Sequence, residues 1–428
     1  MGQGIKISRG KNTETAKAVR LEPVGSVALL MRQHIGAACV PCVKPGERVL
    51  AGQVVGDTDA ALAAPVHASV SGTVQKIDVV RLPGGEDTQA VVVEPSPAGT
   101  GGQMRMAAFA PPAFHNQEGF FAAVRASGLV GLGGAGFPAH AKLRSAAGRA
   151  DTLLVNAAEC EPYVTVDYHE ILDNPEDILA GMEHICKWLE IPEAVVGIEK
   201  KHGDAIEILR RLCGETALSI RVRALPERYP QGAEKVLVRS LTGRTVPLGK
   251  LPGDVGALVM NVSSVAFLGR YFRTGKPLVS RTVTVGGHVE HPLNVRVPIG
   301  TAVEEVIPGG GEFAKILLGG PMMGMAAPGT SAVVTKCTNA VLLFSQKETH
   351  LKSGTACIRC GKCVRVCPMG LQPLKLAHAW QAKNAEALKI LQAAACMECG
   401  CCSYVCPAGQ ELVQSIRLGK KLLRGVKP

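Results

Sequence analysis

Aromatic residues are scarce in this chain: two Trp, five Tyr and nine Phe among 428 residues. Sequence-tolerant nucleic-acid binding needs aromatic rings interleaved with basic side chains. The basic C-terminal stretch lacks that interleaving, so no nucleic-acid partner is expected. Long apolar runs are missing as well. The best stretch, 255–272, is broken by Asn261, Ser263, Ser264 and Arg270, short of the ~18 apolar residues that suggest a membrane-spanning helix. No basic segment followed by an apolar one opens the chain, so export is not expected. A disulfide framework is missing too. Eight of the fifteen cysteines fall into two runs, and Cys39, Cys42, Cys160, Cys186, Cys213, Cys337 and Cys401 are left as an odd, unpatterned set, which favours a reducing compartment. The length exceeds what one core can hold, and roughly three domains are expected. The apolar content fits a soluble α/β protein.

The two cysteine runs are the most specific signal present. They read Cys357-x2-Cys360-x2-Cys363-x3-Cys367-Pro368 and Cys396-x2-Cys399-x2-Cys402-x3-Cys406-Pro407. This is the bacterial ferredoxin pattern for [4Fe–4S] clusters, in which the fourth cysteine of each run ligates the other cluster. Three thiolates on a tight loop reach three irons of one cube, while the fourth, beyond a helical turn, faces away. One cluster is therefore assigned to Cys357, Cys360, Cys363 and Cys406, the other to Cys396, Cys399, Cys402 and Cys367. Zinc sites more often show two CxxC pairs. The repeat implies two ligand loops joined by a helical hairpin around 371–391.

Charge is uneven. Residues 345–428 carry 13 Lys and Arg against four Glu and no Asp. Anionic clusters absorb part of this excess, and the rest suits an acidic redox partner or an anionic membrane surface. The basic, amphipathic stretch 411–427 reads either as a solvated last helix or as a docking surface.

Upstream, residues 43–49, 52–56 and 64–74 alternate apolar residues with Gly and Pro turns, the pattern of a small β-sandwich of the biotinyl/lipoyl type. The lysine of a swinging arm is absent, so a carrier role is not expected. Cys39-x2-Cys42 reads as two small strand-edge residues. A Gly- and Pro-rich linker is expected over 95–115. Helix and strand signals then alternate: helices over 118–126, 175–188, 203–212 and 232–241, and strands over 152–156, 194–198 and 219–224. That alternation predicts βαβ units and a mostly parallel sheet.

Gly131-Leu132-Gly133-Gly134-Ala135-Gly136-Phe137-Pro138 contains GxGxxG, but a helix signal precedes it where a dinucleotide fingerprint follows a strand. The glycines still let backbone N–H groups cradle phosphate, and a helix opening at Pro138 adds a positive dipole end. Val155-Asn156-Ala157-Ala158-Glu159-Cys160-Glu161-Pro162 follows a strand, at the edge where parallel sheets form ligand crevices. Tyr229-Pro230-Gln231-Gly232-Ala233-Glu234-Lys235 and Met260-Asn261-Val262-Ser263-Ser264 come later.

Together these segments resemble the flavin and NADH site of the flavoprotein-subunit family of respiratory NADH dehydrogenases. The order of segments over about 20–410 resembles more closely the RnfC family, the C-type subunits of Rnf electron transport complexes, and Gln33-His34-Ile35-Gly36-Ala37 resembles that family's N-terminal segment. The resemblance implies a multidomain α/β protein. Its parts are an N-terminal barrel-sandwich hybrid (1–98), a Rossmann-like FMN/NADH-binding α/β domain (115–275), a soluble ligand-binding β-grasp domain (276–344) and a C-terminal helical two-cluster ferredoxin domain (345–428). It implies that Gly131, Gly133, Gly134, Gly136 and Lys142 hold FMN phosphate. Asn156 and Glu159 would lie near the flavin ring and ribityl chain, Gly232, Glu234, Asn261 and Ser264 elsewhere along FMN, and Phe137 and Glu161 against the nicotinamide nucleotide. Ala158 and Leu132 depart from the respiratory pattern, which has an acid and a base there. Gly319-Gly320-Pro321-Met322-Met323-Gly324 reads as a turn packed between flavin and clusters.

NADH delivers two electrons together and an iron–sulfur cube accepts one, so a flavin is the natural converter between them. The resemblance implies a peripheral electron-input subunit on the cytoplasmic side of a cell membrane. It would join integral-membrane and iron–sulfur subunits that pass electrons toward ferredoxin and couple the flow to ion translocation. Two rivals stand beside this reading: a stand-alone flavin/iron–sulfur reductase of the cobalamin-reductase kind, and a non-catalytic electron wire.

Overall fold

The computed structural model describes residues 4–22, 25–96, 107–307, 309, 313–349 and 354–425. Residues 97–106 of the linker expected over 95–115, and the last residues of the basic stretch 411–427, lie outside them.

Residues after 25 fold into two small antiparallel sheets. One orders its strands Val27–Leu30, Asp87–Pro95, Gly72–Arg81, Arg48–Val49, and the other Val40–Pro41, Val54–Asp57, Val66–His67. Alternation places Val27, Leu29, Val74, Val91 and Val93 inward, all buried, as expected when only one face of each strand meets the core.

The central unit is a four-stranded parallel sheet in the order Ser219–Leu225, Glu193–Glu199, Thr152–Ala157, Ala257–Asn261. Its inner strands are buried along nearly their whole length, the signature of a sheet covered by helices on both faces. The helices include Gln117–Ala126, Pro175–Leu189, Gly203–Cys213, Glu234–Thr242 and Val262–Thr274. The expected strands and helices of this stretch are present within a few residues. Two short helices, Ala139–Ala146 and Val166–Asp173, join them. Strand order reverses direction between Thr152–Ala157 and Ala257–Asn261, which creates a switch-point crevice at their C-terminal ends.

A mixed six-stranded sheet follows, ordered Val19–Arg20, Leu293–Pro298, Ser280–Gly287, Ala340–Phe344, Lys315–Leu318, Met325–Ala326. Val283, Val285, Val295, Val297, Val341 and Leu343 form its core with the short helix Val303–Val306. The last unit is helical. Pro373–Gln381, Ala385–Ile390 and Leu412–Leu423 pack around Leu376, Leu388 and Ile416, each fully buried side chain contributing ~1.5–3 kcal/mol.

One segment ties the units together. Residues 4–22 run across the C-terminal edge of the parallel sheet. Ile5 and Tyr229 exchange backbone hydrogen bonds of 2.8 and 2.9 Å, Arg9 pairs with Glu199, and Thr13 and Thr165 share a 2.6 Å hydroxyl contact. The segment then adds Val19–Arg20 as a parallel edge strand beside Val295 and Arg296.

Candidate functional site

Asn156 and Asn261 end the two strands that flank the switch point, and they are register partners. Asn156 Nδ2 donates to the Gly232 carbonyl at 2.8 Å, and its Oδ1 accepts from Ala158 N at 3.1 Å. Asn261 caps the helix Val262–Thr274, accepting from Ser264 N at 3.3 Å. Ser264 Oγ accepts from Leu132 N at 3.0 Å. The crevice therefore gathers Asn156, Gly232, Asn261, Ser264 and the glycine loop, all expected there from the sequence.

The loop closes on itself, Gly131 N donating to the Phe137 carbonyl at 2.9 Å and Gly136 N to the Gly131 carbonyl at 3.3 Å. Gly133, Gly134 and Ala135 are exposed, and their amides donate to no acceptor among the described residues. Successive unpaired amides form an anion-binding concavity. The loop follows the helix Gln117–Ala126, not a strand, so it is no dinucleotide fingerprint. Gly136 is needed for closeness: its φ is 64°, and a Cβ there would lie 2.5 Å from Cys337 Sγ. Lys142, one turn into Ala139–Ala146, is ion-paired with Glu234, so two further expected residues meet beside the loop. Phe137 is half-buried, and its ring contacts no other aromatic ring among the described residues.

Three important residues carried no recognisable pattern, and a fourth lay in a recognised segment without an assigned role. Asp167 accepts from Asn261 Nδ2 at 2.7 Å and Ser263 Oγ at 2.5 Å. Burial and the neighbouring Glu159 push its carboxyl up to about 6. Glu159 is raised by burial and held by Lys11, whose Nζ donates to the Glu159 and Val164 carbonyls at 2.7 and 2.6 Å. Arg281, from the mixed sheet, is buried and donates to the Leu132 carbonyl at 3.0 Å. It thereby holds the loop from behind.

Tyr229 is the fourth, and it turns the site toward the cysteines. It is 1% exposed and packs with Cys160, Cys399 and Cys401. Glu161 points the same way. Its Oε2 accepts from Met322 N at 3.1 Å, and its Oε1, like the Tyr229 hydroxyl, has no hydrogen-bond partner among the described residues. Burial raises its carboxyl to about 7 against the pull of the Met322 and Met323 amides. Gly320 packs on Glu161, and Met322 reaches Gly400. The turn 319–324 thus lies between the crevice and the second cysteine run, as expected.

The two runs fold alike. Cys357 and Cys396 Sγ each accept from the amide two residues on, at 3.4 Å. Cys367 and Cys406 accept from the amide four residues on, at 3.3 and 3.4 Å. Cys367 lines one small cavity with Cys396, Cys399 and Cys402. The loop after Cys406 is tied to the residues before Cys357 through Thr355 N to Ala408 O (2.9 Å) and Gln410 Nε2 to Thr355 O (2.7 Å). Among the described residues no three Cys, His, Asp or Glu stand close enough to share a single metal ion. A cube makes no such demand, because each thiolate binds its own iron.

Residues 124–270 match the family model of the Nuo51 FMN-binding domain, 1–97 the RnfC barrel sandwich hybrid domain, and 356–410 the 4Fe-4S dicluster domain. The C subunit of a proton-translocating ferredoxin:NAD(+) oxidoreductase complex from Clostridium ljungdahlii is 37% identical over 87% of this chain and 83% of its own length. The chain belongs to the RnfC family of ion-translocating ferredoxin:NAD(+) oxidoreductases. A further family member, the C subunit of the Na(+)-translocating complex from Acetobacterium woodii, is 38% identical over 92% of this chain and 90% of its own. Among solved structures, one polypeptide of an NAD+-reducing [NiFe]-hydrogenase superposes with a TM-score of 0.51 over 73% of this chain and 64% of its own, at 19% identity. That likeness concerns the fold alone. The family's cofactors, FMN and two [4Fe–4S] clusters, fit what is present: unpaired loop amides at a switch point, and two cysteine sets with prearranged N–H···S contacts. Gly232 fits too, since a Cβ there would crowd the Ala158 carbonyl at 2.5 Å and fill the crevice.

Proposed function

We propose that this chain is the electron-input subunit of a membrane-associated Rnf-type complex, oxidising NADH at FMN and passing single electrons through two [4Fe–4S] clusters toward ferredoxin. The observation that carries this reading is the contact of Tyr229 and Glu161, at the crevice, with Cys399 and Met322 beside the second cysteine run. FMN, when bound, supplies the exchange between two-electron and one-electron chemistry. The amides of Gly133, Gly134 and Ala135, in the loop of Gly131 and Gly136, would hold its phosphate. Lys142 would exchange part of its pairing with Glu234 for that anion. Asn156, Gly232, Asn261 and Ser264 shape the crevice, and Glu159 keeps it rigid through Lys11 and Asp167. Phe137 offers a ring for stacking, and Glu161 a carboxyl at the inner end, for the nicotinamide nucleotide.

Cys357, Cys360, Cys363 and Cys406 would ligate one cluster, and Cys396, Cys399, Cys402 and Cys367 the other. The order of strands around Ser280–Gly287 supports a β-grasp for 276–344. The remaining partners are integral-membrane and iron–sulfur subunits that hold the ion path. Attachment is peripheral, on the cytoplasmic side. Among the described residues no helix is long and apolar enough to cross a membrane.

The test is anaerobic reconstitution of the chain with iron, sulfide and FMN, followed by NADH. Bleaching of flavin and then of cluster absorbance is expected. A bound flavin that NADH leaves oxidised would overturn the reading in favour of an electron wire.

A further inference from the structure

The two cysteine runs differ in what surrounds them. Cys399 and Cys402 of the second run are buried, as is Cys367. Cys399 packs beneath Tyr229 against the flavin fold. In the first run Cys360 is exposed, and Cys357 and Cys363 are only half-covered. Beside them Ile358 is 66% and Val364 43% exposed, large apolar side chains on an open surface.

Three cations stand among them. Arg359, Lys362 and Arg365 are exposed and make no ion pair among the described residues. No acid occurs between Gly354 and Gly370. An apolar centre ringed by unpaired positive charge is built to meet a protein face of opposite sign, because complementary charge steers encounter while the centre excludes water. A small soluble reductant would need neither feature.

We propose that the face around Cys360 is the port for an acidic protein carrying a one-electron centre. The cluster of Cys357, Cys360, Cys363 and Cys406 is then outermost, and the cluster of Cys396, Cys399, Cys402 and Cys367 lies between it and the flavin crevice. At the port one electron leaves the carrier's centre and enters the outer cluster, or the reverse. One centre is oxidised and the other reduced, and no bond or proton changes hands. The inference rests on the electron-input reading above and adds the direction in which the chain is wired and the chemistry of what docks.

The test uses the reconstituted full chain and, as probe, an acidic two-cluster ferredoxin, chemically reduced and freed of reductant. Stopped-flow absorbance follows electron arrival in the oxidised chain across a salt series. K362E/R365E should slow the second-order step at least ~10-fold at low ionic strength and flatten its salt dependence. K362Q/R365Q should give a smaller loss of the same sign. K421E/R424E, at the exposed C-terminal end of the last helix, should stay within about twofold of the unaltered chain. Electron paramagnetic resonance counts both clusters in every variant, so a failure to assemble is separated from a failure to dock. Unchanged rate and salt slope in K362E/R365E would overturn the port, and so would an equal loss in K421E/R424E. No NADH enters this experiment, so it stands or falls independently of hydride oxidation at the flavin.

Discussion

Where the first cysteine run carries Arg359, the second carries Glu398; where the first has Lys362, the second has Cys401. The ligand-bearing backbone is nonetheless the same in both. Arg359 and Glu398 take φ values of 55° and 61°, and Gly361 and Gly400 take 72° and 75°. Glu398 is paired with Arg417 and Lys420 of the last helix, whereas Arg359 faces solvent. Cys401 is buried under the Tyr229 carbonyl, whereas Lys362 projects outward. Geometry that holds a cluster is thus duplicated, and the residues between the ligands set what each copy touches. The last helix, which the sequence reads as either solvated or docking, serves the inner run, with Leu412 and Ile416 inside and Arg417 and Lys420 closing over Glu398.

The most severe test of this pairing exchanges ligands. Cys367→Ser should remove the cluster of 396–402 and Cys406→Ser that of 357–363, each costing roughly half the bound iron. If Cys367→Ser instead extinguishes the 357–363 signal, the crossing between runs is wrong.

A smaller effect separates the neighbourhoods by pH. The crevice behind the inner run holds buried carboxyls, and no buried acid stands near the outer one among the described residues. Asp167 is raised from 3.8 to about 6 by burial and by Glu159. The folded state therefore binds its proton more tightly than the unfolded state. The associated stability is complete below pH ~4 and is lost as pH rises through about 6, on the order of 1–3 kcal/mol. The thermal midpoint of the cofactor-free chain should fall over that window, and Asp167→Asn should flatten the fall. A profile that Asp167→Asn leaves unchanged would assign the slope to other groups.

Smaller again, Glu398→Gln should cost about 1 kcal/mol, since its two cationic partners are partly exposed and screened. Arg359→Gln, with no ion-pair partner among the described residues, should shift the thermal midpoint by no more than the scatter of surface changes, about 0.5 kcal/mol or less. Equal costs would erase the asymmetry between the runs.

How far the sequence revealed this architecture depends on whether a residue belonged to a local pattern. The cysteine spacing, the glycine loop and the two strand-end asparagines did, and the crevice unites the latter two. Asp167, Lys11 and Arg281 did not. Lys11 meets Glu159 across 148 positions and Arg281 meets Leu132 across 149, and a single charged residue in an irregular or β-rich stretch carries no periodicity to announce a distant partner. The helix Val166–Asp173, eight residues long, is too short to establish a helical period beside its loop. A two-residue strand such as Val19–Arg20 has no alternation at all, so its place at the edge of the mixed sheet is decided by tertiary contact. Tyr229 belonged to a recognised segment, but its role as the wall between crevice and cysteines came from packing.

The crossing segment 4–22 has a consequence for assembly. It is synthesised long before Tyr229 and Val295, its partners at either end, leave the ribosome. Such non-local pairing is slow, since the intervening chain must be closed before any contact rewards it. This strap would therefore dock late, latching the already folded parallel-sheet and mixed-sheet units together, and a bulky tag fused ahead of it would slow maturation more than it would weaken either unit.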